Sequence, residues 1–135
     1  MACKTVLIVD DETVSLEYYR EAISDMGYRV LTAAAPGAAL QLAHDNGIDL
    51  MVTDYSMPEM NGLELAAAFR KITPRTPIIM MTAHASVDMF LRARSEGFVE
   101  YINKPFRMEE FKRIITIALK GAAGRGASRE ERRSR

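Results

Sequence analysis

Four acids, a hydroxyl and an ammonium each stand at or just beyond the end of a short apolar run. Asp10, Asp11 and Glu12 follow residues 6–9, Asp54 follows 50–53, Thr82 follows 78–81, and Lys104-Pro105 comes after 99–102. If those runs are parallel strands, these side chains share the rim where open α/β sheets bind ligands, beyond the carboxyl ends of the strands. Asp10, Asp11 and Asp54 packed there without a cation would repel one another, and at least one pKa would rise. A hard divalent cation with oxygen ligands relieves that repulsion, and Mg²⁺, which takes one or two carboxylates and keeps water for the rest, fits well. The bland alternative makes Asp10 and Asp11 caps of the following helix, where acids suit the positive end. It leaves Asp54 unexplained. Lys104 could be a solvated chain end; beside a carboxylate cluster it offsets charge and binds a phosphoryl oxygen as a point charge. Thr82 alone would be a β-branched residue finishing a strand, but here its hydroxyl can donate to a transferred phosphoryl group. Carboxylate nucleophiles are an established route of phosphoryl transfer, and the protein's work is then mainly positioning and charge neutralisation. Together these groups suffice to make and break an aspartyl phosphate.

Five apolar runs alternate with amphipathic stretches, at residues 6–9, 30–33, 50–53, 78–81 and 99–102. None has a polar residue at every second place, as expected of strands covered on both faces. Such alternation predicts βαβ units, a parallel sheet and an α/β fold. Leu16, Tyr19, Ile23 and Met26 repeat at helical spacing, as do Leu65, Phe69 and Ile72, with Asn61 placed to cap the latter helix. Further helices are predicted over 37–46 and 87–96. Met108, Phe111, Ile115 and Ala118 mark a last one, which Gly121 can end.

The chain has 135 residues, enough for one ordinary domain. With 48% hydrophobic and 27% charged residues it has the profile of a soluble globular chain. Eighteen basic and eighteen acidic residues cancel, so no global field recruits nucleic acid or an anionic membrane. The charge is uneven: thirteen basic against sixteen acidic residues precede Gly121, and five arginines against two glutamates follow it. Residues 122–135 have no apolar periodicity and read as a basic, mostly disordered tail behind a domain spanning 1–121. One cysteine, Cys3, cannot form an internal bridge, which fits a reducing cytoplasm. No signal-peptide stretch opens the chain and no apolar run approaches a membrane span.

The motifs Leu7-Ile-Val-Asp-Asp-Glu12, Val52-Thr-Asp-Tyr-Ser-Met-Pro58, Asn61-Gly62, Met81-Thr82-Ala83 and Lys104-Pro105-Phe106 resemble the receiver domain of bacterial two-component response regulators, in its chemotaxis-regulator-like, single-domain form. They occur in the family's order and spacing, from about residue 4 to residue 120. The resemblance implies a flavodoxin-like, doubly wound sheet of five parallel strands in the order 2-1-3-4-5, flanked by five helices. It also implies that Asp54 is the phosphoacceptor, that Asp11 ligates Mg²⁺ (with Mn²⁺ as a substitute) directly, and that Asp10 acts largely through water. The backbone carbonyl of Ser56 would add a metal contact. Thr82 matches the switch hydroxyl, Lys104 the phosphate-binding lysine, Ala83 the small residue beside the phosphoryl path, and Tyr101 the aromatic that swings inward. Ser56 and His84 fall where the family tunes the lifetime of the phosphorylated state, and the Lys104-Pro105 bond is usually cis.

By the same resemblance the chain is a signalling phosphoacceptor and not a turnover enzyme. It is phosphorylated by a sensor histidine kinase or a histidine phosphotransfer protein in the cytoplasm. The readout face would run from Ser86 to Lys120 and bind a downstream protein. The fifteen residues after Lys120 are too few for a DNA-binding module. Two other classes compete. In a Mg²⁺-dependent phosphohydrolase of the haloacid dehalogenase type, the nucleophile would sit in the Asp10-Asp11-Glu12-Thr13 stretch, which leaves Asp54 idle. In a phosphorylation-independent interaction module, at least one key residue would be lost, and this sequence keeps them all. A flavodoxin is weaker still, because Asp10-Asp11-Glu12 would repel a bound phosphate.

Overall fold

The computed structural model describes residues 3–83 and 100–134, with side chains as far as Gly121. Five strands, β1 (Thr5–Val9), β2 (Arg29–Ala33), β3 (Leu50–Asp54), β4 (Ile78–Thr82) and β5 (Glu100–Asn103), form one sheet in the order β2-β1-β3-β4-β5. All neighbours are parallel. Among the described residues there are four helices: α1 (Thr13–Ser24), α2 (Pro36–Asp45), α3 (Gly62–Ile72) and α4 (Met108–Ser134). The helix expected over 87–96 and the position of His84 lie outside the described residues.

The sheet divides the core into two layers, as the two-residue period of strand side chains requires. Val6, Ile8, Val52, Ile79, Met81 and Ile102 face α1 and α4. Leu7, Val9, Met51, Ile78 and Met80 face α2 and α3. Every residue of β1, β3 and β4 is buried, whereas β2 and β5 are partly exposed. That difference is what the strand order demands of three inner strands and two edges, and it explains why the three inner runs lack polar alternation.

α1 buries Leu16, Tyr19 and Ile23, the spacing seen in the sequence. Asn61 caps α3 as anticipated: its side chain accepts from the Glu64 amide at 2.9 Å, and the Glu64 carboxylate accepts from the Asn61 amide at 3.0 Å. The end of α4 differs from expectation. Gly121 does not stop it, and the backbone of residues 122–134 continues as helix where the composition suggested coil. Adding a residue to an existing helix needs no new nucleus, and the alanines among those glycines favour propagation, with no proline to block it.

Candidate functional site

The strand order reverses at β1 and β3, and the carboxyl ends of β1, β3, β4 and β5 open on a cleft of about 470 Å³. Its walls include Asp11, Asp54, Ser56, Thr82, Ala83 and Lys104.

Asp10 leaves the end of β1, where its amide donates to the Ala33 carbonyl at 3.1 Å. It is fully buried. One of its carboxylate oxygens accepts from the Glu12 amide at 3.0 Å, and the other lies 3.3 Å from Lys104 Nζ. The helix-cap alternative fails here: Glu12 occupies the cap position of α1 without a side-chain cap bond, and the first turn carries no acid. Asp54 is the buried last residue of β3. Beyond it the Tyr55 amide donates to the Met81 carbonyl at 2.8 Å, so the chain stays tied to β4 past the acid. Thr82 is the buried last residue of β4, and its carbonyl accepts from the Lys104 amide at 2.7 Å. That bond holds the Lys104 backbone against the end of β4, and the Lys104-Pro105 peptide is cis, as expected.

Lys104 Nζ therefore stands 3.3 Å from Asp10 and 3.4 Å from Asp54. Burial opposes its charge, yet the two carboxylates outweigh burial and raise its pKa. The Asp54 carboxyl is also raised, first by burial; Lys104 pulls it back, while Asp10 and Asp11 push it further up. The pair's attraction thus shows on the lysine and is masked on the aspartate, where burial first, and then the like charges of Asp10 and Asp11, outweigh it.

Carboxylate oxygens of Asp10, Asp11 and Asp54 all lie within 4.8 Å of one another, and Asp11 is exposed. Three negative charges meet one ammonium, which leaves two uncompensated. An all-oxygen donor set with that balance fits a hard divalent cation.

Comparison with known proteins follows the same line. Residues 6–116 match the family described as response regulator receiver domain. The chain belongs to that family. A receiver is a signalling phosphoacceptor, not a turnover enzyme. This receiver is 30% identical over 118 residues to the transcriptional regulatory protein GlrR of Escherichia coli, covering 87% of this chain and 27% of that protein. The chain spans about a quarter of the length of such curated relatives. Among solved structures, the CheY-like receiver domain protein from Methanospirillum hungatei superposes with a TM-score of 0.86 at 29% identity, covering 92% of this chain and 99% of that one. Chemotaxis protein CheY4 of Vibrio cholerae gives 0.83 at 31% identity, covering 87% and 100%.

Of the residues singled out in the sequence, the receiver brings Asp11, Asp54, Ser56, Thr82, Ala83 and Lys104 to one cleft, with Asp10 beneath them. Tyr101 stands apart. It lies on β5 opposite Met80, half-buried on the face that packs α2 and α3. Two residues were not singled out for the parts they take. Gly62 opens α3 so close to the site that an added Cβ would lie 2.7 Å from the Asp54 carbonyl and 3.0 Å from Tyr55 Cα. Its place beside the capping Asn61 was the available hint. Tyr19 read only as a core residue, and no local signal distinguished it.

Proposed function

We propose that Asp54 receives a phosphoryl group from a phosphohistidine in a Mg²⁺-dependent reaction, and that the modified receiver changes its contacts with a partner. The observation that carries this reading is the placement of Lys104 Nζ between Asp10 and Asp54, on the rim that also holds Thr82. A carboxylate oxygen of Asp54 attacks phosphorus, the bond to the donor nitrogen breaks, and the leaving imidazole keeps the electron pair and takes a proton. Lys104 follows the charge from the bare carboxylates to a phosphoryl oxygen, where its ammonium acts as a point charge. The Thr82 hydroxyl donates to a second oxygen, and Ala83 leaves room for the group to pass. Asp11, Asp54 and the Ser56 carbonyl would hold the cation directly and Asp10 largely through water; when bound, Mg²⁺ or Mn²⁺ offsets negative charge on the oxygens in transfer.

Phosphorylation then favours the conformation in which Thr82 and Lys104 engage the new group, and Tyr101 is the aromatic that turns inward in that state. The phosphodonor is a sensor histidine kinase or a histidine phosphotransfer protein in the cytoplasm. Output passes to a downstream protein through the stretch from Ser86 to Lys120, of which residues 86–99 lie outside the described residues. Residues 1–121 form the receiver unit, and 122–135 are a basic appendage. No helix among the described residues is long and apolar enough to cross a membrane. The phosphohydrolase alternative is disfavoured by Asp10, whose two oxygens are already engaged by the Glu12 amide and Lys104.

Incubation with acetyl phosphate and Mg²⁺ tests the proposal. Intact-mass measurement is expected to show a single added phosphoryl group that depends on Mg²⁺. Persistent labelling of Asp54→Ala would refute the assignment, and multiple turnover of an added phosphomonoester would favour the hydrolase.

A further inference from the structure

Tyr19 lies two turns into α1, on the face packed against the sheet, and is only 8% exposed. Its ring centroid is 5.8 Å from that of Phe106 and 5.0 Å from that of Phe111, and those two rings stack at 4.9 Å with 17° between their planes. Phe106 is two residues past Lys104. The three rings therefore join α1, the turn that carries Lys104, and the first turns of α4. Tyr19 and Lys104 also line one hollow of about 380 Å³. That hollow adjoins the phosphoryl cleft, because Glu12, Ala83 and Lys104 line both. Lys104 thus stands on the partition between two open spaces. Asp10 and Asp54 draw the ammonium to the cleft, but the stem is a flexible four-carbon chain, so where its backbone turn is fixed decides whether the charge reaches them.

We propose that Tyr19 is a positioning residue for Lys104: its ring, braced by Phe106 and Phe111, fixes the turn that carries Lys104 and bounds the hollow on the side away from the cleft. The inference rests on the receiver reading above. Burial raises the pKa of the Tyr19 hydroxyl, Lys104 opposes the rise, and Asp10, Asp54 and Glu12 add to it. The hydroxyl is thus within electrostatic reach of the cluster and stays neutral near pH 7. It is no counter-ion to the ammonium, and the ring carries the effect.

The test is the initial rate of phosphorylation of the full chain by phosphoramidate with Mg²⁺. Tyr19→Leu is expected to slow it about tenfold by misplacing Lys104. Tyr19→Phe, which keeps the ring, is expected to restore most of the rate. Against a Lys104→Ala background, Tyr19→Leu should change the rate by less than about twofold, since a residue acting only through another loses its effect when that other is gone. Phe106→Leu is expected to behave like Tyr19→Leu and serves if the latter does not fold. Full activity in Tyr19→Leu, a Phe variant as slow as the Leu variant, or a tenfold loss that persists without Lys104 would each overturn the inference while leaving the receiver reading intact. A wild-type chain that takes no phosphoryl group removes both.

Discussion

Replacing Asp54 by Asn is expected to stabilise the metal-free protein at neutral pH, although it deletes an ion pair. Lys104 lies 3.4 Å from Asp54. At an effective dielectric near 20 that attraction is roughly 5 kcal/mol. Asp10 and Asp54 are both buried, with carboxylate oxygens no more than 4.8 Å apart, so their repulsion is at least about 3.5 kcal/mol at the same dielectric. Asp11 is exposed and screened, and adds about 1 kcal/mol. The Coulomb effects nearly cancel, and what remains is the loss of hydration around a buried carboxylate, of order 1–2 kcal/mol against the ionised form. An asparagine of the same shape removes it, and Lys104 keeps Asp10 as partner at 3.3 Å. For a chain of this size the gain corresponds to a rise in Tm of about 3–8 °C.

The pH dependence has a definite sign. The folded Asp54 carboxyl binds its proton more tightly than its ordinary value of 3.8 allows. Its contribution to wild-type stability is therefore complete below that value and is lost as pH rises through the raised one. The advantage of Asp54→Asn should open over that window and close in acid. Thermal melts of both proteins in chelator, from acid to neutral pH, measure it. Mg²⁺ should reverse the order: at a concentration a hundred times Kd the wild type gains about 2.7 kcal/mol, and a variant lacking one ligand gains less. An Asp54→Asn protein that melts below wild type in chelator at neutral pH would refute the charge balance.

Other expectations follow from the segment that leads from Asp54 into α3. Asn61→Ala removes the reciprocal bonds with Glu64 and should lower stability by about 1 kcal/mol, read as a lower urea midpoint at unchanged m. Gly62→Ala should cost more, about 2 kcal/mol, because the new Cβ meets the Asp54 carbonyl and the Tyr55 backbone, which cannot yield as a side chain can. It should also slow phosphorylation by displacing Asp54, which the Asn61 change should do far less. Glu59 has φ of +73°, where a side chain costs about 1–2 kcal/mol. Glu59→Gly should therefore raise the urea midpoint slightly, and Glu59→Val should lower it.

What could be read in the sequence was whatever depends on short spacing. Residues 6–9, 50–53 and 78–81 are apolar except for Thr53 because both faces of the inner strands are covered, and that pattern is enough to put Asp10, Asp54 and Thr82 at one rim. Asn61 announced its helix because a cap stands directly before the apolar repeat it serves. Contacts between distant elements left no such mark. Nothing around Tyr19 says that its ring meets Phe106 rather than an aliphatic neighbour. Nothing in Pro58-Glu59 announces a left-handed backbone, since glutamate seldom adopts one. Gly121 misled in the other direction: it is a good helix terminus only where the chain turns, and here the backbone runs on to Ser134.

The central claim is that the buried carboxylate at the end of β3 bears the phosphoryl group. Borohydride reduction of the acetyl-phosphate-treated protein, followed by peptide mapping, tests it most directly, because an acyl phosphate is reduced to the alcohol while free carboxylates are not. Homoserine at position 54, absent when Mg²⁺ is chelated, is the expected result. Homoserine at position 10 or 11 with Asp54 unchanged would contradict the account.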